Sequence, residues 1–90
     1  MKQIVYVTAL PDVTDLTLKD KFWIEIYLDM DEQLDEPTYG FQVWREQVSI
    51  EDGKEVPRVS GRFIQGGFIT IFLAMVKAIQ HVNMLSYGRP

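Results

Sequence analysis

Residues 66–88 form the one stretch of this chain that reads as a long helix, and its apolar content limits what the preceding residues can be. The segment opens on Gly66-Gly67, and Phe68, Ile71, Phe72, Met75, Ile79 and Val82 recur at helical spacing. That i, i+3, i+4, i+7 stripe is what one helix face buries. Ile69, Leu73 and Val76 fall on a different side, so the first half is apolar nearly all round. Such a helix needs packing on more than one side. The run from Phe68 to Val76 stops at Lys77, well short of the roughly 20 residues a bilayer needs, so a buried helix rather than a membrane span is expected. Gly88 is placed to cap its C-terminus.

The residues before this segment read as strands that can lay one face against it. Residues 2–9 are rich in β-branched and aromatic side chains, and Leu10-Pro11-Asp12 ends that strand. A polar connection covers residues 13–21. Residues 22–29 alternate strictly: Phe22, Ile24, Ile26 and Leu28 point one way, Trp23, Glu25, Tyr27 and Asp29 the other. The first set is expected to face the helix. Residues 39–50 and 55–63 give two further strands, and Asp52-Gly53 between them is a strong type I′ hairpin signal. With no internal repeat or linker, residues 1–90 make a single small α+β domain. The expected fold is a four-stranded antiparallel β-meander followed by one C-terminal α-helix packed on one face.

If Asp52-Gly53 are the turn, opposed residues of the hairpin have numbers summing to 105. One face then carries Trp44, Val48, Ile50, Val59 and Phe63, with Gly61 opposite Trp44, and is expected to be the core face. The other pairs Val43 with Arg62, Arg45 with Ser60 and Gln47 with Arg58. Arg45 then has Arg58 and Arg62 as its two diagonal neighbours, about 7–8 Å away. Glu25 and Asp29 on the outward face of the preceding strand are the acids available to neutralise them. Exposed pairs of that kind contribute only ~0–1 kcal/mol each. The sharper expectation is a partner-binding face of Trp23, Tyr27, Arg45, Arg58 and Arg62, because Trp, Tyr and Arg are enriched at interface hot spots.

Charge is unevenly spread. The net charge is −4, with nine acids and three bases in residues 1–36 and four acids and six bases thereafter. That asymmetry argues against a dedicated nucleic-acid binder, which carries a basic footprint. Residues 30–38 form an acidic loop, and Asp29, Asp31, Glu32, Asp35 and Glu36 are expected to steer a basic partner. The loop does not fit an EF-hand: Leu34 stands where the turn glycine belongs and Gly40 where the bidentate glutamate belongs. No cysteine is present, which removes disulfides and thiolate metal sites and suits a cytoplasmic setting. Nothing in the first residues resembles a signal peptide.

Groups for catalysis are not assembled. The single histidine, His81, has Lys77 and Leu85 as its helical neighbours, neither an orienting acid nor a second ligand. No catalytic, cofactor or metal residue is assigned. The expected function is macromolecular binding by a small acidic protein of inhibitor, immunity or antitoxin-like kind. Self-association as a homodimer is expected to draw on Ile69, Leu73 and Val76. The alternative is a small-molecule binder, holding an anionic or nucleotide-like ligand between Arg62 and the helix N-terminus at Gly66-Gly67.

Overall fold

The alternation that begins at Phe22 sets the plane of the fold. In the computed structural model, which describes residues 2–13, 19–30 and 36–87, the chain builds four strands and then a helix. They are β1 (Lys2–Pro11), β2 (Lys21–Asp29), β3 (Thr38–Glu51), β4 (Lys54–Phe68) and α1 (Ile71–Tyr87). The strands form one antiparallel sheet in the order β1-β2-β3-β4. This is the α+β meander with a C-terminal helix on one face that the sequence predicts. Gly88 and residues 14–18 and 31–35 lie outside the described residues.

Phe22, Ile24 and Ile26 are buried beneath α1 as expected, with Val43 opposite Ile24 and Phe41 opposite Ile26 on β3. Removing such side chains from water contributes ~1.5–3 kcal/mol each. The helix meets them through Ala74, Ala78 and Val82, so of the bulky helical stripe that the sequence suggests only Val82 is fully buried along α1. Phe72 is 75% exposed, Ile71 and Ile79 are also exposed, and Met75 is only partly covered. Ala74 and Ala78 lie one turn apart and end at Cβ, so the helix axis can come close to the aromatic layer below. Large side chains in those places would hold it off.

The helix also starts later than expected. Gly66 and Gly67 belong to β4, which runs on to Phe68, paired with Tyr39 and buried in the core. The helix begins where Thr70 can cap it. Its side-chain oxygen accepts a hydrogen bond from the Leu73 N–H at 3.0 Å, and its carbonyl accepts from the Ala74 N–H at 3.2 Å.

The β3–β4 hairpin turns at Asp52 and Gly53, both at positive φ (51° and 77°), as a type I′ turn requires. From Glu51–Lys54 to Arg45–Ser60 the pairing keeps the expected sum. At Gly61, with φ 66°, one extra residue enters β4. Beyond that bulge Arg62 lies opposite Trp44 and Phe63 opposite Val43. The expected face assignment is thereby corrected. Trp44, Val48, Ile50 and Val59 lie on the open side of the sheet, away from α1, while Phe63 lies beneath the helix, stacked on His81 at 4.1 Å. β2 reaches only to the Lys21–Glu46 pair, so the rest of the hairpin continues as a two-stranded arm. A Lys19–Glu55 ion pair and a hydrogen bond from the Val48 N–H to Asp20 Oδ1 (3.0 Å) tie the chain before β2 to that arm.

Candidate functional site

The open face of the sheet is where the candidate residues converge, and its membership differs from the sequence expectation. Register places Trp23 of β2 directly opposite Trp44 of β3, and Trp44 opposite Arg62 of β4. Both tryptophans are half-buried, with no helix above them. One residue along, Glu25 faces Gln42, and Gln42 faces Ile64. The Gln42 amide joins two charges: its nitrogen donates to Glu25 Oε1 at 3.0 Å, and its oxygen accepts from Arg62 Nη2 at 2.8 Å. Among the described residues no carboxylate forms an ion pair with Arg62. Its guanidinium, exposed and held by a neutral amide, keeps donors for a partner. Glu25, Gln42, Trp44, Val59 and Arg62 line a shallow groove of about 400 Å³ at the bulge.

Tyr27 lies on the same face but is not displayed there. It is 5% exposed, its ring seated on Gly40 and its hydroxyl against Gly66, donating to the Gln65 carbonyl at 3.4 Å. Burial, and then the nearby Asp29 charge, raise its pKa above the ordinary 10.0. Two glycines make the seat, because a Cβ at Gly40 would fall 2.3 Å from Tyr27 Cζ. The expected exposed tyrosine is therefore a wedge in the architecture.

The three arginines do not gather. Arg45 and Arg58 lie on the helix side of the sheet and Arg62 on the open side, because the extra residue at Gly61 reverses the parity of β4. Arg45 pairs with the buried Asp12 and lies 3.7 Å from Asp20, while Arg58 pairs with Glu51 at 2.6 Å. The neutralising acids are thus Asp12, Asp20 and Glu51, not Glu25 and Asp29. Nor does an anion site form at Gly66-Gly67. Those residues are strand, the helix N-terminus is at Ile71, and Thr70 occupies it.

Of the acidic steering residues, Asp29 ends β2 and Glu36 is exposed, whereas Asp31, Glu32 and Asp35 lie outside the described residues. Ile69 and Leu73 are exposed and Val76 half-buried, joined on the outer side of α1 by Phe72. His81 sits at a second cleft of about 370 Å³, between the C-terminal half of α1 and the β3–β4 pair, with Phe22, Val43, Phe63 and Leu85 as apolar walls. Burial lowers its pKa below the ordinary 6.5. Among the described residues no group of three potential metal-binding side chains comes together, and no helix is long and apolar enough to cross a membrane. No family model, curated protein or solved structure matches the chain.

Trp44 is the residue that sequence reasoning missed. The register that sets it opposite Trp23 is visible only in the folded sheet, because no tight turn joins β2 to β3. Trp23 has outward parity in the unambiguous β2 alternation, and a residue directly opposite it shares its face.

Proposed function

We propose that the chain is a non-catalytic binding module that engages a protein partner through the open face of its sheet. The observation that carries this reading is the Trp23–Trp44–Arg62 row, which runs across three strands with no element covering it among the described residues. Two half-exposed indoles offer apolar area at small entropic cost, and Arg62 offers a charge that no neighbouring carboxylate consumes. Val59 and Ile64 extend the apolar rim, while Glu25 adds an acceptor beside the arginine. An inhibitor, immunity or antitoxin-like role suits a small acidic protein with this surface, and the lack of cysteine suits the cytoplasm as its setting. Capture of the partner from the native host, then titration calorimetry, tests the reading. Alanine at Trp23, Trp44 or Arg62 is expected to cost ~1–2 kcal/mol or more of binding with the fold intact. Arg58→Ala, on the helix side, serves as the control. Unchanged affinity in all three variants removes this face.

The apolar cleft beside His81 favours a second reading, in which a small aromatic molecule binds between α1 and β4. Its volume of about 370 Å³ falls within the range of ligand pockets. A ligand there raises the melting temperature when it is well above its dissociation constant. No shift across a panel of small aromatic compounds sets that reading aside.

A further inference from the structure

The two free edges of the sheet are built differently. Along β4 the edge carries Lys54, Glu55, Pro57, Arg58 and Arg62, and Gly61 and Gly67 adopt positive φ. Charges, proline and bulges are the devices that keep an edge strand from pairing with another chain. β1 has none of the first two between Gln3 and Leu10, and its one irregularity is the bulge between Ile4 and Tyr6. Ile4, Val5, Tyr6 and Val7 follow one another there, each between 41% and 49% exposed. Among the described residues α1 packs on β2, β3 and β4 but not on β1. A helix is ~10 Å across, whereas four strands at ~4.8 Å spacing need about twice that width covered. Among the described residues the first part of the strand, from Ile4 to Val7, is therefore left open on its edge and on both faces, while Leu10 at its end packs against the core.

We infer that the β1 edge is the interface between two copies of this chain, paired antiparallel about a two-fold axis to give one continuous eight-stranded sheet. Charge favours a second copy as the occupant. Lys2 is the only charged residue of β1, so an antiparallel self-pairing centred anywhere from Ile4 to Ala9 sets no like charges opposite one another. Area agrees with it. The chain exposes 6432 Å², whereas a monomeric protein of its mass exposes about 5,400 Å². Of that excess, roughly 1,000 Å², part belongs to the two-stranded arm and to the outer side of α1, and part to the uncovered β1 edge, where a second copy would remove it from water. A two-fold contact uses the same patch twice and closes on itself. The protected β4 edges are then the only ones left outward, and the two Trp23–Trp44 rows lie on one side of the joined sheet. The inference stands on the β1 edge alone and does not depend on the function proposed for the open face.

Sedimentation equilibrium on the full chain tests it, with circular dichroism to check folding. The expected mass is twice 10.5 kDa for the wild type across the micromolar range. Tyr6→Lys and Val7→Lys, at exposed positions on opposite faces of β1, are each expected to return it to a single chain, while Phe72→Lys on the outer side of α1 leaves the dimer. A monomeric wild type, a mass above the dimer, or a dimer that survives both β1 lysines overturns the inference. Should the lysine variants fail to fold, a spin label decides. The chain has no cysteine, so Tyr6→Cys gives a unique attachment point. Labels on the two copies are expected within about 25 Å of each other, given ~3.4 Å per residue along the strand. A longer separation, or no dipolar coupling, refutes β1 pairing.

Discussion

Replacing Gly40 by alanine separates the architectural role of Tyr27 from a role in binding. The added Cβ would lie 2.3 Å from both Cζ and Oη of Tyr27 and 2.7 Å from Cε2. Ordinary contact begins at 3.4 Å, so the ring must retreat by about an ångström. It has little room, since the ring is only 5% exposed, its hydroxyl is held at the Gln65 carbonyl (3.4 Å) and Ile4 stands opposite it on β1. Overpacking of this kind costs ~1–3 kcal/mol. Alanine returns ~0.5–1 kcal/mol through the unfolded chain, because glycine loses the most freedom on folding. The net loss is about 0–2.5 kcal/mol, which in a chain of this length lowers the melting temperature by up to roughly 20 °C. Urea unfolding followed by circular dichroism reads it directly. The same substitution in a Tyr27→Ala background, itself costing ~3–5 kcal/mol, is expected to be neutral or stabilising, because the clash is gone. If Gly40→Ala stabilises the wild type, or costs the same in both backgrounds, Tyr27 is not seated on this glycine.

Thr70→Ala removes the cap at the start of α1 and is expected to cost ~1 kcal/mol in the same unfolding assay; Thr70→Ser, which keeps the oxygen, should recover most of it. The pH dependence near neutrality should come from His81, the only histidine in the chain. Burial lowers its pKa in the folded state, so the unfolded chain takes up the proton first. Stability from this group is full above pH 6.5 and is lost as the pH falls from there toward the folded value. Urea midpoints between pH 7.5 and 5.5 should therefore decline, and His81→Gln should flatten that part of the profile; an unchanged slope in the variant contradicts the assignment.

Most of the fold could be read from periodicity, and most of the candidate site could not. The β2 alternation, the Asp52-Gly53 turn and the long apolar C-terminal run each carry a local signal, and together they imply four strands and a helix. The phase of α1 was harder to see. Sequence patterns weight bulky residues, whereas the buried face is built on Ala74 and Ala78, whose value lies in being small. The partner of Arg45 was also hidden. Asp12 looked like the end of a strand, and only the closed chain brings it under β3, where it is 1% exposed and ion-paired. A carboxylate buried that deeply requires its partner, because an unpaired charge there would cost several kcal/mol. Arg45 was legible as an arginine on a strand, but not as the counter-charge of a residue 33 positions earlier.

Gly61 decides which side chains share a face, and it can be tested at the residue itself. Its φ of 66° is left-handed, and nothing lies within 4 Å of where a Cβ would stand. Gly61→Ala therefore meets no steric neighbour and should lose only the backbone term, ~1–2 kcal/mol, with Gly61→Asn losing less because asparagine tolerates that conformation. Deletion of Gly61 is the sharper perturbation. In an unbulged hairpin, losing one residue would carry every later side chain of β4 to the opposite face, exposing Phe63 and driving Arg62 under the helix. In the bulged hairpin Gly61 is the extra residue, so the pairs Trp44–Arg62 and Val43–Phe63 survive its removal. The deletion variant is expected to unfold cooperatively with a loss within the ordinary ~0.5–3 kcal/mol of single changes. It should also keep ring-to-ring nuclear Overhauser contacts between His81 and Phe63. An unfolded deletion variant, or one in which those contacts vanish, would mean that Arg62 does not stand beside Trp44 on the open face, and the row of Trp23, Trp44 and Arg62 would dissolve with it.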